Sequence, residues 1–217
     1  YCIKVGEKLK YVVGARGSKL SMAQTNWVIS ELKKVNSDCE YEIKPITTKG
    51  DTDTRPLFTI EQKGIFEKEI DKAVAAKEID FAVHSLKDVP SQLADNLVIA
   101  SIPKREKVND VFISSDNSSL DKIKPGSVIG TSSLRRAVQV SRQRSDVTVK
   151  PIRGNIETRI NKASGENFDA IVLAQAGISR LGVDVNFTTL SVDDFSPSPG
   201  QGAIAIVART DDVKTIE

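Results

Sequence analysis

The chain has 217 residues, of which 39% are hydrophobic and 28% charged, and its formal net charge at pH 7 is +2. These values are typical of a soluble globular protein with a core of its own. They argue against a nucleic-acid-binding protein, which needs a large basic excess. The sequence shows neither a signal peptide nor an apolar run long enough to span a membrane, so we predict a cytoplasmic protein without a membrane partner.

Apolar strands alternate with amphipathic helices along the chain. The predicted strands are Leu9–Gly14, Tyr41–Thr47, Phe81–His84, Leu97–Ser101, Asp110–Ser114, Ser127–Gly130, Val147–Ile152, Ala170–Ala174 and Ala203–Ala208. The predicted helices are Leu20–Val35, Phe66–Ala76, Leu134–Gln143 and Ile156–Ser164. Alternation of this kind predicts an α/β fold whose sheets are mostly parallel.

Two segments mark places where the chain passes between domains. Pro103–Lys107 is a charged break after a strand, and Ser196–Gly202 has the Pro, Ser and Gly content of a linker. We therefore predict a discontinuous first domain, residues 1–103 with 202–217, and a second domain, residues 104–201. A two-lobed protein of this kind has a cleft between its lobes, and such clefts are common ligand sites.

The two cysteines do not predict a metal centre. Neither Cys2 nor Cys39 stands in a Cys-x-x-Cys or Cys/His cluster, the spacings that zinc and iron–sulfur sites need. Two cysteines in a chain of this size are typical of reduced thiols. We predict no metal site.

Basic residues gather in the loops that follow strands. In open α/β sheets, ligands bind beyond the carboxyl ends of the strands. Five such loops combine a basic residue with hydroxyl or glycine neighbours, and they contribute Arg16, Lys87, Arg135 with Arg136, Arg153 with Arg159, and Arg180. The pattern predicts a site for a polyanion. Because the chain has neither a Walker sequence nor a GxGxxG motif, carboxylates suit these guanidinium groups as well as phosphates do.

Two of these basic residues, and one acidic residue beside them, allow two interpretations each. Arg135 and Arg136 fall in the first turn of a predicted helix, where the helix dipole disfavours cations. An isolated pair would be solvated or paired with an acidic residue, but its repetition at several strand ends favours polyanion binding. Asp88 is either a charge partner of the cations or a group that stabilises developing positive charge or transfers a proton. The single histidine, His84, ends an apolar strand, and we interpret it as structural.

Seven stretches, in their order along the chain, resemble porphobilinogen deaminase. They are Gly14–Ser18, Lys63–Phe66, Ala82–Pro90, Gly130–Arg136, Arg153–Asn155, Ser179–Gly182 and Gly200–Ala203. The resemblance implies two α/β lobes of mixed, mostly parallel sheets with flanking helices, like periplasmic binding proteins of type II, with a cleft between the lobes. It also implies a reaction in which four porphobilinogen molecules are joined head to tail into hydroxymethylbilane, with loss of ammonia, on a dipyrromethane cofactor bound to a cysteine. Each pyrrole carries an acetate and a propionate, which matches the predicted polyanion.

The resemblance further implies a role for individual residues. Asp88 would be the catalytic carboxylate, which contacts pyrrole nitrogens and stabilises the cationic intermediate left after loss of ammonia. Substrate binding would fall to Arg16, Ser18, Gln24, Lys63, Phe66, Arg153, Arg159 and Arg180. Cofactor binding would fall to Ser85, Lys87, Asp88, Thr131, Ser133, Arg135, Arg136 and Arg153. The expected partner is porphobilinogen, and the expected state is a monomer without nucleic acid.

One part of the family pattern has no counterpart in this chain. The cysteine that carries the cofactor belongs to a third domain in the family, whereas this chain ends at Glu217, and neither Cys2 nor Cys39 lies in the matching context. We therefore expect a chain without the third domain and without covalent dipyrromethane, which would leave it inactive on its own. The alternative is a non-catalytic two-lobed protein that binds a small anion, although Asp88 would have no obvious use there.

Overall fold

The computed structural model describes residues 9–52, 67–163, 165 and 167–217. These residues divide into two compact units. Unit 1 takes its described residues from 9–52, 67–104 and 203–217, and unit 2 takes them from 105–202. No helix in the described part of the chain is both long and apolar enough to cross a membrane.

The elements follow one another along the chain in the alternation that the sequence predicts. The strands are β1 (Leu9–Arg16), β2 (Cys39–Ile46), β3 (Phe81–Ser85), β4 (Leu97–Ser101), β5 (Asp110–Ser114), β6 (Val128–Gly130), β7 (Thr148–Lys150), β8 (Ala170–Ala174), β9 (Thr188–Thr189) and β10 (Ile204–Arg209). The helices are α1 (Lys19–Val35), α2 (Lys49–Thr52), α3 (Lys68–Ala75), α4 (Leu134–Gln143), α5 (Ile156–Lys162), α6 (Gln175–Leu181) and α7 (Val213–Ile216). A single 3₁₀ turn covers Leu86–Asp88.

The two units contain sheets with the same plan. Unit 1 has the strand order β2-β1-β3-β10-β4, and unit 2 has the order β7-β6-β8-β5-β9. In unit 1, β10 is antiparallel to both of its neighbours, while β1 is parallel to β2 and β3. In unit 2, β5 is antiparallel to both of its neighbours, while β6 is parallel to β7 and β8. In each sheet, four of the five strands therefore run in one direction and the fourth in order runs against them.

Helices cover both faces of each sheet because the central strands are apolar on both sides. Every residue of β5 and β10 is buried, which explains their continuous apolar sequences. In unit 1, Ile206 packs in the core cluster beside Val28 of α1, whereas its neighbour Val207 packs in the cluster that contains Ile70 of α3. Successive side chains thus point to opposite faces, as in any strand.

Side-chain caps determine where three of the helices begin. Ser18 accepts a hydrogen bond from the Ser21 amide at 3.3 Å at the start of α1. Ser133 caps α4 and Asn155 caps α5 in the same way. A capping oxygen satisfies an amide that the first helical turn leaves without a partner. The loops that follow β1, β6 and β7 therefore end on a residue that fixes the next helix.

Most of the predicted elements are confirmed, and the differences have local causes. Helix Leu134–Gln143 and strand Asp110–Ser114 have the predicted bounds. The strand predicted at Val147–Ile152 is only β7, because Pro151 has no amide hydrogen with which to continue the ladder. The short elements α2, α6, α7 and β9 were not predicted. The ends of two predicted helices, at Phe66 and Ser164, lie outside the described residues.

Candidate functional site

The loops of unit 2 that carry the predicted basic site residues meet at one edge of its sheet. The parallel strands β6, β7 and β8 end there, and the antiparallel strand β5 begins there. As a consequence Asp110, the first residue of β5, pairs in register with Ala174, the last residue of β8. This antiparallel strand brings a carboxylate to the edge at which the basic residues of the neighbouring loops gather.

Asp110 binds both arginines of the first turn of α4. Its Oδ2 accepts a hydrogen bond from Nη2 of Arg135 at 2.8 Å, and its Oδ1 accepts one from Nη2 of Arg136 at 2.8 Å. Nε2 of Gln201 also donates to Oδ1, at 2.9 Å. The Asp110 side chain is fully buried. The two arginines are therefore paired with an acidic residue, as one of the two earlier interpretations had it, but two guanidinium groups share one carboxylate.

The environment of Asp110 keeps it ionised although it is buried. Burial alone would raise the pKa of this carboxyl group, but the positive charge and hydrogen bond of Arg136 oppose that effect. The bond from Gln201 and the charge of Arg135 add to the opposition, so the pKa of Asp110 falls below its ordinary value. The cluster formed by Asp110, Arg135 and Arg136 thus has a net charge of one positive unit.

Arg153 and Arg159 add further positive charge at this edge. Nε of Arg159 donates to the carbonyl of Gly154 at 2.8 Å. The pKa of Arg159 is lowered first by burial and then by the positive charges of Arg136 and Arg153. Mutual repulsion of this kind is relieved when an anion binds, so the three guanidinium groups favour a negatively charged ligand.

Glycine at position 154 is a requirement of this loop. The backbone of Gly154 has φ +122°, and a Cβ atom there would lie 2.7 Å from Cγ2 of Thr158. Asn155, the next residue, caps α5 by accepting from the Thr158 amide at 2.8 Å. The Arg153-Gly154-Asn155 sequence therefore sets the turn that connects Arg153 to α5, the helix that carries Arg159.

The hydroxyl groups of the loop after β6 are used within the protein. Oγ of Ser132 donates to the Ile152 carbonyl at 2.5 Å and so fastens this loop to the residues that follow β7. Oγ1 of Thr131 accepts from the Ser133 amide at 3.2 Å, and Ser133 caps α4. Thr131 is buried, whereas Ser133 is partly exposed. These residues shape the loop that holds Arg135 and Arg136.

The segment Gly200–Gly202, from which the chain returns to unit 1, is held by hydrogen bonds of Arg180 and Gln201. Nη2 of Arg180 donates to the Gly202 carbonyl at 2.7 Å, and burial lowers the pKa of this arginine. Gln201, which is 1% exposed, donates to the Val108 carbonyl at 2.6 Å as well as to Asp110. The Gly200-Gln201-Gly202 sequence is thereby held against the start of β5 and the residues before it.

The corresponding edge of unit 1 carries the second part of the predicted site. There β1 ends at Arg16, and β3 ends at Ser85. The amide of Leu86 donates to the Ala203 carbonyl at 3.0 Å, which anchors the 3₁₀ turn beside the start of β10. Lys87 and Asp88 lie in this turn with exposed side chains.

The Asp88 carboxylate is available for a ligand. Neither a hydrogen bond nor an ion pair joins this side chain to any residue that the structure describes. By contrast, Ser85 is engaged three residues earlier, because its Oγ accepts from Nε2 of Gln24 at 2.9 Å. An exposed carboxylate at a strand end can accept hydrogen bonds from N–H groups and oppose a positive charge.

Gln24 and His84 lie behind this edge rather than on it. Gln24 is 4% exposed, and its amide is bonded to Ser85. His84 is 5% exposed, and its Nε2 lies 3.0 Å from Oδ1 of Asp71 on α3. The histidine joins β3 to the helix that covers it, which agrees with a structural role.

Two predicted site residues, Lys63 and Phe66, lie outside the described residues. Within the described ranges, no group of three or more His, Cys, Asp or Glu side chains could hold a metal ion. The residue that sequence reasoning missed is Asp110, together with its partner Gln201. A signal was present, because an acidic residue that opens a strand as apolar as Asp110–Ser114 must find a buried cationic partner.

Comparison with known sequences identifies the family. The family model described as porphobilinogen deaminase, dipyromethane cofactor binding domain, matches residues 11–217. The probable porphobilinogen deaminase of Nitrosopumilus maritimus is 83% identical over 209 residues, which are 96% of this chain and 67% of that protein. The chain belongs to the porphobilinogen deaminase family. The porphobilinogen deaminase of Listeria innocua, at 50% identity over 213 residues, matches 95% of this chain and 69% of its own length.

Solved structures of several binding proteins have the same fold. The substrate binding domain of a putative molybdenum ABC transporter from Clostridium difficile aligns with a TM-score of 0.56 at 12% identity, over 96% of this chain and 89% of its own. The periplasmic aliphatic sulphonate binding protein SsuA from Escherichia coli aligns with a TM-score of 0.52 at 12% identity, over 96% and 64%. At such identities the likeness concerns the fold alone. It confirms the predicted class, two mixed sheets with flanking helices of the type II periplasmic-binding-protein kind.

Within each unit, the structure brings together most of the residues that the porphobilinogen deaminase resemblance implicates. Unit 2 gathers Arg135, Arg136, Arg153 and Arg159 around the ends of β6 and β7, with Arg180 on α6 after β8. Unit 1 gathers Arg16 and Ser18 after β1, and Ser85, Lys87 and Asp88 after β3. The family assignment therefore falls on residues that already share the carboxyl edges of the two sheets.

Proposed function

We propose that this chain provides the substrate- and cofactor-binding residues of a porphobilinogen deaminase. The reaction joins four porphobilinogen molecules head to tail into hydroxymethylbilane, with loss of ammonia, in tetrapyrrole biosynthesis. The observation that carries the proposal is the state of Asp88, an exposed carboxylate at the end of β3 without a partner among the described residues. A small-anion-binding protein has no use for such a group, whereas this reaction needs one.

Asp88 stabilises the positive charge that develops on the substrate. When the C–N bond of the protonated aminomethyl group of porphobilinogen breaks, ammonia leaves with the electron pair and the pyrrole ring is left cationic. A carboxylate near the pyrrole N–H accepts that hydrogen bond and opposes the charge. The next pyrrole then forms the new carbon–carbon bond and loses its ring proton. Asp88 binds the reacting ring throughout these steps.

The arginines of unit 2 bind the carboxylates of substrate and growing chain. Arg153, Arg159 and Arg180 provide guanidinium groups that can pair with acetate and propionate in a bidentate manner. The lowered pKa of Arg159, caused by burial and by the charges of Arg136 and Arg153, supports this role because an anion removes the repulsion. In unit 1, Arg16 and Ser18 would bind the incoming substrate.

The donor set of the α4 loop fits a dipyrromethane with its four carboxylates. Ser133, Arg135 and Arg136 combine a net positive charge with a helix N-terminus, and both features favour carboxylates. Thr131 keeps this loop in shape. In unit 1, Ser85 and Lys87 offer a hydroxyl and an ammonium group that would bind carboxylates of the same ligand class. When it is bound, the dipyrromethane supplies the pyrrole position at which the first substrate is added. The protein residues bind and orient its side chains.

We further propose that the two units correspond to two domains of the enzyme, residues 1–103 with 202–217 and residues 104–201. The boundaries of the compact units at 104/105 and 202/203 support this assignment. That the protein is a cytoplasmic monomer stays a prediction from the sequence.

Calorimetric titration with porphobilinogen tests the carboxylate-binding role. Replacing Arg159 by Gln removes a charged hydrogen-bond donor, so we expect binding to weaken about tenfold to a hundredfold. Arg142→Gln is the matched control, because Arg142 is an exposed arginine of the same unit, in the last turn of α4. Equal binding by the two variants would contradict the role. Binding of sulfate without binding of porphobilinogen would favour the small-anion-binding alternative.

A further inference from the structure

The inference concerns Asp110 and rests on the proposed function of Arg135 and Arg136 as ligand-binding residues. The starting observation is the charge of the cluster. Two guanidinium groups lie 2.8 Å from the two oxygens of one carboxylate, and Gln201 adds a neutral donor. No second carboxylate within the described residues forms an ion pair with either arginine. One positive charge therefore remains for a ligand.

The two arginines differ in their exposure and in their hydrogen bonds to the rest of the protein. Arg136 is buried and donates to the Val172 carbonyl at 3.3 Å as well as to Asp110. The Arg135 side chain is 26% exposed and donates to the Ser196 carbonyl at 2.5 Å as well as to Asp110. Arg135 is thus the more accessible of the two, and Arg136, with a side chain 9% exposed, is joined to it through the shared carboxylate.

The cluster is not optimised for stability alone. Nε of Arg136 and Oε1 of Gln201 are buried, and neither has a hydrogen-bond partner within the described part of the chain. An unsatisfied buried polar atom destabilises the folded state, and native proteins contain few of them. Two such atoms beside a fully buried carboxylate indicate an arrangement retained for its geometry.

We propose that Asp110 is a positioning residue that holds Arg135 and Arg136 in the relative orientation that a ligand with two carboxylates needs. A free arginine side chain loses conformational entropy when a ligand fixes it. Asp110 fixes one nitrogen of each guanidinium group before the ligand arrives, so less entropy is lost on binding. It also screens the repulsion between the two cations.

This role predicts a change in ligand selectivity. Asp110→Asn removes the negative charge while it keeps the size of the side chain, so the pair becomes more positive and less ordered. A compact anion such as sulfate binds more tightly to a more positive pair, and it does not need two carboxylate positions. Porphobilinogen serves as the probe for this pair because it carries the same acetate and propionate as each ring of the dipyrromethane proposed to bind there. It needs both carboxylate positions. The affinity for sulfate should stay equal or rise, while the affinity for porphobilinogen should fall.

The experiment measures the dissociation constants of porphobilinogen and of sulfate by titration calorimetry for four forms of the chain. They are the unchanged protein, Asp110→Asn, Arg135→Gln and Asp146→Asn. Asp146 is the control because it pairs with Arg144 in the same unit at 2.7 Å but is 42% exposed, and its loss changes the net charge equally. We expect Asp110→Asn to lose porphobilinogen affinity about tenfold without loss of sulfate affinity.

The ligand-binding role of the pair and the positioning role of Asp110 are overturned by different results. If Arg135→Gln binds porphobilinogen as the unchanged protein does, the proposed ligand-binding role of the pair is wrong. If Arg135→Gln loses binding but Asp110→Asn behaves like Asp146→Asn, the pair binds the ligand and the positioning role of Asp110 is wrong. A parallel loss of porphobilinogen and sulfate affinity in a folded Asp110→Asn variant also contradicts positioning.

A second pair of variants applies if Asp110→Asn does not fold. Arg136→Met keeps Asp110 on Arg135, and the double variant Asp110→Asn with Arg136→Met removes the buried charge and its counter-charge together. Replacement of a whole buried ion pair is tolerated far better than loss of one partner. The positioning role predicts lower porphobilinogen affinity for the double variant than for Arg136→Met, while its sulfate affinity is equal or higher because a negative charge is missing. Equal porphobilinogen affinity would overturn it.

Discussion

Arg136 donates from Nη2 to Oδ1 of Asp110 over 2.8 Å, and both side chains are buried in unit 2. Loss of one partner from a buried pair leaves the other charge uncompensated. We therefore predict that Asp110→Asn lowers the free energy of unfolding by about 3–5 kcal/mol. Urea denaturation followed by circular dichroism measures this value. Asp146→Asn, at an exposed ion pair, should cost much less, and an equal cost would contradict the account.

The same carboxylate predicts how stability depends on pH. The pKa of Asp110 is lowered in the folded state, because Arg136, Gln201 and Arg135 outweigh the effect of burial. A lowered pKa means that the stabilisation is complete above the unfolded-state value of about 3.9 and is lost as the pH falls below it. The difference in unfolding free energy between the unchanged protein and Asp110→Asn should be constant near neutral pH and shrink below about pH 4. A constant difference down to pH 3 would contradict this prediction.

Gly202 is required for two reasons, its positive φ and the close approach of neighbouring backbone atoms. It has φ +85°, and a Cβ atom there would lie 2.6 Å from the carbonyl oxygen of Glu106 and 2.9 Å from that of Lys107. Gly202→Ala should lower stability by about 1–3 kcal/mol through backbone strain alone, and further through the clash. Gly182, with φ +61° and no atom within 4 Å of such a Cβ, is the matched control. Gly182→Ala should cost distinctly less, and equal losses would show that the close approach is unimportant.

Tyr41 predicts an effect at alkaline pH. Burial, followed by the influence of Cys39, raises its pKa to about 12. The folded state therefore favours the protonated phenol, so this group contributes stability below pH 10 that is lost as the pH rises towards 12. The tyrosinate absorbance that Tyr41→Phe removes should titrate near pH 12. Titration of that absorbance near the ordinary value of about 10 would contradict the prediction.

Strand β5 shows both the success and the limit of sequence reasoning. Its bounds could be predicted because a short apolar run rich in β-branched and aromatic residues is typical of a buried strand. The partners of Asp110 could not, because Arg135 and Arg136 are 25 and 26 residues away along the chain. Their meeting depends on β5 lying antiparallel beside β8, and no local pattern encodes that arrangement.

Gln24 shows a second limit. Glutamine is usually exposed, and the resemblance to porphobilinogen deaminase implies that Gln24 binds the substrate, but neither indicates how deeply its side chain is buried. In the structure it is 4% exposed and bonded to Ser85, a residue 61 positions away. A buried amide with a distant partner looks, in the sequence alone, the same as an amide at the surface. The basic residues were easier to predict because their position after strands places them at the ligand-binding edge.

The most direct test of the central claim is the turnover of porphobilinogen by Asp88→Asn in the complete protein, measured as ammonia release. Asp88 is exposed and bonded to no residue that the structure describes, so the substitution should leave the unfolding midpoint unchanged. Asp95→Asn, an exposed aspartate of the same unit, is the control and should retain activity. The account predicts that turnover by Asp88→Asn falls at least about a hundredfold. Turnover within about twofold of the unchanged protein would contradict it.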